Sequence, residues 1–197
     1  MRSIFYILFL ILAGCQTDDQ FRIQGQLPDK TYDGEVIYLV PLENAVKEKV
    51  DSAFIVNGMF QIKGVANSAE IYIIRPKPAL RLNLQELLVV KEPGELTVRI
   101  GTNSMVRGTA LNDSLQYWKE KKLMADYLHE ELKQKFNIAD SSEQTAIKQT
   151  ADSLNIRIVD FHYNFARNNH DNVVGKFVAK LMGNSFTPEQ KKNLNLK

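Results

Sequence analysis

Three histidines, one cysteine, a serine beside an aspartate and one small basic cluster are the side chains with which this chain could do chemistry. Asp126 and His129 share one helix face, but His129-Glu130-Glu131 lacks the second histidine of a zinc-binding HExxH helix. A metal site needs three or four converging ligands, so a solvated helix face is the expectation and no metal ligand is assigned. Asp160 and His162 are two apart and do not face each other on a helix. His170, among Asn168, Asn169 and Asp171, fits a connection between helices. Ser52 follows Asp51 inside a strand-like run, without the strand-to-helix elbow of a serine nucleophile. The glycines form neither GxGxxG nor a P-loop. Arg75, Lys77 and Arg81 surround prolines and could meet lipid headgroups or an acidic partner, with a solvated loop as the simpler reading. Tyr117-Trp118 could stack on a sugar, although Trp118 lies on an apolar stripe and is expected in the core. No catalytic, cofactor or metal residue is assigned, and no cofactor is expected.

The lone cysteine carries the one assignable chemistry. Met1-Arg2-Ser3 is followed by an unbroken apolar run from Ile4 to Leu12. A spanning helix needs roughly 20 apolar residues, so this run fits the core of a secretory signal instead. Leu12, Ala13, Gly14 and Cys15 come next and resemble the lipobox of bacterial lipoproteins. That resemblance implies cleavage before Cys15 and diacylglycerol on its sulfur, with further acylation of the new amine; several chains anchor stably where one would be marginal. Gln16, Thr17, Asp18 and Asp19 are polar, as a tether is. They resemble the acidic tract that directs lipoproteins of Bacteroidota to the cell surface. A cell-envelope location at the outer membrane is expected, with the surface and the periplasmic face both open. The expected organisation is a signal at 1–14, an acylated end and tether at 15–20, a β-rich domain at 21–108 and a helical region at 109–197.

Composition narrows the partners. Hydrophobic residues make up 44% of the chain, enough for a real core. Lys+Arg 25 against Asp+Glu 23 is nearly balanced, whereas a nucleic-acid binder normally shows a basic excess or stripe. One cysteine excludes an intramolecular disulfide, a CxxC redox pair and a cysteine-based zinc site.

The elements that must position any site change character along the chain. Phe21-x-Ile23-x-Gly25 alternates, Glu35–Val40 does so in part, and Val50–Val56 leads through Asn57-Gly58 into Met59–Gly64. Asn-Gly between strand-like runs predicts a type I′ hairpin turn, whose central residues need φ > 0. Ile71–Ile74 is a further strand, after which Pro76 and Pro78 argue against a central strand. Leu87–Val90, the turn Glu92–Glu95 and Leu96–Ile100 complete a run that predicts an antiparallel sandwich or open barrel. Past Gly108 the period becomes helical. Leu111, Leu115, Trp118, Ala125, Leu128, Leu132 and Phe136 form one stripe, interrupted near Lys121-Lys122. Thr109 or Asn112 can cap its start. Ser141 and Gln144 match a capping box before a second stripe of Ile147, Ala151, Leu154, Ile158, Phe161 and Phe165, which stops at Asn168-Asn169. Asp171 opens a third helix closed by Gly183, and Thr187-Pro188 a fourth. The two long helices, roughly 25 residues each, predict an antiparallel pair about 35–40 Å long. The fold class is therefore α+β.

Several spaced motifs together resemble a domain of unknown function found in Bacteroidota lipoproteins: Phe21-x-Ile23-x-Gly25, Val50-Asp51-Ser52, Asn57-Gly58-x-Phe60-x-Ile62-x-Gly64, Glu92-Pro93-Gly94 and Gly108-Thr109-x-Leu111-Asn112. The resemblance covers about Phe21 to Trp118. In that family the β domain commonly precedes a thioredoxin-like or peroxiredoxin-like domain, with helices between them. The present sequence reaches Lys197 without such a segment, so thiol–disulfide exchange is not expected of it, and the family supplies no catalytic residues for the β domain. The expected function is a membrane-anchored, non-catalytic envelope module that binds a protein, peptide or glycan and no nucleic acid. Two alternatives stand: an accessory partner of a thioredoxin-like redox lipoprotein, and an enzyme whose site spacing alone does not reveal.

Overall fold

A computed structural model of the chain describes residues 19–81 and 83–196. Leu12, Ala13, Gly14, Cys15, Gln16, Thr17 and Asp18 lie outside them. Asp19 is exposed, and its backbone carbonyl accepts from the Ala66 amide at 2.8 Å.

Among the described residues eight strands precede four α-helices, so the α+β expectation holds. The strands are β1 (Gln20–Gln26), β2 (Val36–Pro41), β3 (Asp51–Phe54), β4 (Met59–Val65), β5 (Glu70–Pro76), β6 (Leu87–Lys91), β7 (Gly94–Arg99) and β8 (Met105–Arg107). They form two four-stranded sheets, β4-β1-β7-β8 and β3-β2-β5-β6, stacked as a sandwich rather than closed as a barrel. All pairings are antiparallel except β1 with β7, which is parallel.

The register explains the first motifs. Phe21 stands opposite Gly64, Ile23 opposite Ile62 and Gly25 opposite Phe60. Phe-x-Ile-x-Gly thus meets its own reverse across the β1–β4 pair, and each ring lies over the glycine facing it. A Cβ on Gly25 would sit 2.0 Å from the Phe60 ring, and one on Gly64 would sit 2.9 Å from the Phe21 ring. These glycines keep room for two buried aromatic rings.

Burial also explains which strands alternate. The outer face of the first sheet meets solvent, with Arg22, Gln24, Lys63, Glu95 and Thr97 exposed, so β1, β4 and β7 alternate. Strands β5 and β6 are covered on both sides. Tyr72, Ile74, Leu87 and Val89 point into the sandwich core. Ile71, Val90 and half-buried Leu88 join a second core under the helices. A strand buried on both faces reads as a continuous apolar run, as Ile71–Ile74 and Leu87–Val90 do.

Two readings of the β region need correction. Asn57 (φ 55°) and Gly58 (φ 69°) do make the positive-φ turn, but its flanking strands separate. Strand β3 pairs with β2 and β4 with β1, leaving only a Val56–Met59 bridge. The turn is a corner between sheets, held by the Asp33 carboxylate, which accepts from Asn57 and Gly58 amides at 3.0 and 2.7 Å. Strand β5 is interior despite Pro76. The proline is its last residue, where a missing amide costs little of the ladder.

The helices are α1 (Ala110–Ile138), α2 (Ser141–Asn168), α3 (Val173–Met182) and α4 (Pro188–Asn193). Helix α1 runs unbroken through Lys121-Lys122; lysine is a good helix former, and Lys122 pairs with Asp126 at 2.7 Å. The cap of α2 falls one residue before the expected one, since Asp140 and Glu143 form the capping box. Asn172, not Asp171, caps α3. Thr187 and Gln190 box the start of α4 behind Pro188. At 29 and 28 residues, α1 and α2 each extend about 42 Å as an antiparallel hairpin.

Candidate functional site

The motifs nearest the helices build a joint. Asn112 is fully buried in the first turns of α1. Its side-chain oxygen accepts from the Val90 amide at 2.8 Å, and its nitrogen donates to the Val90 carbonyl at 2.7 Å. It thereby closes the edge of β6 as a neighbouring strand would. One turn on, the Gln116 oxygen accepts from the Val106 amide of β8 at 3.2 Å. A carboxamide offers both donor and acceptor, and the i, i+4 spacing puts both on one face. A single helix thus seals one edge of each sheet, satisfying polar groups whose burial unpaired would be costly. Glu92 accepts from the Thr109 hydroxyl and from Asn112 at 3.2 Å. Thr109 is the N-cap residue of α1 but makes no side-chain cap bond, because its hydroxyl is turned to Glu92. Gly108 has φ 131°, and a Cβ there would lie 2.2 Å from the Glu95 carbonyl oxygen.

The other singled-out residues are mostly held in structural contacts. Asp51 pairs with Lys91 at 3.4 Å, and that ammonium lies over the Phe21 and Tyr72 rings; Ser52 is in β3, in register with Tyr38. Arg75 and Arg81 both meet Glu86, and Lys77 meets Glu35 at 2.6 Å, so the basic cluster is compensated. His129 is half-buried on α1. His170 is exposed, with Nδ1 2.9 Å from the Arg167 carbonyl. No group of three metal-ligating side chains occurs among the described residues. Tyr117 is exposed and edge-on to Phe161, while Trp118 is 2% exposed.

His162 is core rather than surface. The Trp118 indole N–H donates to its Nδ1 at 3.0 Å, which assigns the proton of the neutral ring to Nε2. Nε2 is buried and meets no hydrogen-bond partner among the described residues. Burial lowers the affinity of this ring for a second proton, the Lys122 charge lowers it further, and Asp126 partly opposes both.

Above this joint the hairpin is left uncovered. Leu115, Trp118, Phe165 and Ala166 pack with α3 against the outer face of the second sheet. From Asp126 to Phe161 neither helix has a buried residue. The expected stripes are there, but Leu128, Leu132, Ile147, Ala151, Leu154 and Ile158 are only half-buried. Two helices give each apolar stripe one neighbour, and closing it takes a third layer. Phe136, Ile156 and Ile138 are exposed, Ile138 by 89%.

A second apolar set lies off the main stripe. Leu123, Met124 and Tyr127 face an open trough of about 620 Å³ between α1 and the sandwich rim, lined also by Trp118, Met105 and Leu181. Tyr127 is 65% exposed. Lys119 also lines it; burial pushes this ammonium down to about 8. The sequence reading missed this set because it followed the strongest stripe. The available signal was a group of large apolar residues on the opposite side of the same helix.

Among the described residues, no helix is long and apolar enough to cross a membrane. No curated protein and no solved structure matches the chain. Residues 21–115 match the family described as Domain of unknown function (DUF4369), a span that runs from the second residue of β1 through β8 to the start of α1, including Asn112 and Leu115.

Proposed function

We propose that this chain is an envelope lipoprotein of a Bacteroidota-type cell, held at the outer membrane through lipid on Cys15, whose exported part binds a partner without catalysing a reaction. The partner is a protein, peptide or glycan of the envelope. One observation carries the binding role: the α1–α2 hairpin projects two incompletely covered apolar stripes over 126–161, while at the joint beneath it Asn112 and Gln116 satisfy the strand edges. Apolar side chains left exposed side by side mark interaction sites. The motif residues support the non-catalytic reading, because Asp51, Glu92, Thr109 and Asn112 are all engaged in holding strands and helix together.

Two measurements test this. Cys15→Ala should abolish metabolic lipid labelling; labelling that persists removes the anchor. A photo-crosslinking residue at Ile138 should trap a partner in intact cells, whereas one at Gln24 on the open sheet face should not. Equal trapping at both positions, or none at either, rejects the hairpin as the binding element. Protease shaving of intact cells distinguishes surface from periplasmic exposure.

A further inference from the structure

We propose that the trough between α1 and the sandwich rim seats a polypeptide segment carrying an acidic side chain between apolar ones, its carboxylate taken by Lys119 and its apolar groups by Leu123, Met124 and Tyr127. This rests on the partner-binding reading and names the chemistry of one partner segment.

Charge makes the first argument. The other charged side chains of the trough are paired: Lys122 with Asp126 at 2.7 Å, and Glu120 with Arg107 at 3.0 Å. Lys119 has no carboxylate within salt-bridge distance among the described residues. Its ammonium donates to the Gln116 oxygen at 3.3 Å, an oxygen that already accepts from Val106. An ammonium has three donors. This one is half-buried beside apolar side chains, and burial outweighs the favourable charge of Glu120, so a carboxylate bonded to it directly would offset the cost. A carboxylate beside apolar groups complements both Lys119 and its surroundings.

Shape makes the second. Ligands of drug size are mostly enclosed by concave pockets, whereas here the large side chains stand on an open lip. From Gln116 to Tyr127 the trough wall runs about 16 Å, the length of three helical turns, which suits apolar anchors on an amphipathic segment. The adjoining strand edge is closed, since Gln116 occupies the Val106 amide. Recognition therefore runs through side chains rather than strand addition. Methionine on the lip suits an adaptable polypeptide surface.

The test uses the full chain in lipid nanodiscs and the emission of Trp118, its one tryptophan. The probes are tryptophan-free twelve-residue peptides with leucines at helical spacing and one central glutamate, with matched glutamine and lysine versions. The glutamate peptide should bind about 10-fold more tightly than the glutamine one, the scale of a hydrogen bond to a charged group. Lys119→Met should erase that preference and Lys119→Arg should keep it. Leu123→Ser with Tyr127→Ser should weaken both peptides at least ~10-fold while the melting temperature holds. Equal affinity for the three peptides, no binding of any, or a Trp118 shift with sodium laurate but not with peptide would each overturn the proposal. Crosslinking at Ile138 alongside peptide failure would leave the binding role standing and remove only this trough.

Discussion

The sandwich and the hairpin are made from similar proportions of apolar side chains put to different ends. In the sandwich, Phe21 covers Gly64, Phe60 covers Gly25, and the edges of β6 and β8 that face the helices are closed by Asn112 and Gln116. In the hairpin, apolar residues recur at helical spacing over 126–161 and none is buried. A helix supplies its own backbone hydrogen bonds within one segment, whereas a strand must find partners for its backbone along its edges. The contrast assigns stability to one region and contact to the other. Substitutions in the two regions should therefore separate stability from binding.

The largest effect is expected at the glycine–aromatic pair. Gly25→Val drives a branched side chain into the Phe60 ring, and overpacking of this kind costs about 3 kcal/mol. Phe60→Ala alone leaves a cavity of similar cost. The double variant should lose clearly less than the sum, because the valine fills space that the ring has left. Additive losses in denaturant melts would mean the two residues are not coupled as the register implies.

Next comes the joint. Asn112→Ala strands both polar groups of Val90, at about 2–3 kcal/mol, and should loosen α1 before the sheets. Hydrogen exchange would show this as lost protection in the first turns of α1 while β1 and β4 stay protected. Uniform loss of protection would make Asn112 an ordinary core residue.

His162 gives a smaller effect with a definite sign. In the folded chain burial favours the neutral ring, so its proton affinity lies below the ordinary value near 6.5. As pH falls through that value the unfolded chain takes up a proton that the folded chain refuses, and stability declines. The decline ends once pH passes the folded value. The wild type should therefore lose more stability than His162→Gln between about pH 7 and the folded value. Equal loss would place the acid sensitivity on carboxylates alone. Lys119 has a slope of the same sign, displaced to higher pH. Its pKa is lowered to about 8, so above that value the unfolded chain binds more protons and stability rises toward pH 10.

How much of this was legible follows from which interactions are local. Strand alternation, the Asn57-Gly58 turn and both long helices could be read because each depends on neighbours in sequence. The parallel β1–β7 pair and the parting of β3 from β4 could not, since sheet partners are chosen by long-range packing. The buried run Leu87–Val90 announced a strand without saying what covered its second face. Asn112 was read as a capping residue because asparagine at a helix start usually caps; tertiary contact with Val90 overrode that local role. His162 looked isolated because its partner, Trp118, lies on the other helix. The trough has the same cause: its apolar side chains come from α1, but its existence depends on the sandwich rim beside them.

The smallest expected effect sharpens the comparison most. Tyr127→Ser and Leu123→Ser alter side chains that already face solvent, so each should change stability by no more than about 0.5 kcal/mol. Equivalent truncations in the sandwich, such as Ile23→Ser or Leu96→Ser, place an unpaired hydroxyl in a dry core and remove buried methyl groups, costing several kcal/mol. If the exposed pair also proved costly, the trough would be closed in solution by another part of this chain, and its apolar lip would be core. If stability is unchanged while crosslinking at Ile138 persists and glutamate-peptide binding falls, the two surfaces of the hairpin act separately. Its tip would then make one contact and its base another, with the sandwich holding both at a fixed angle through Asn112 and Gln116.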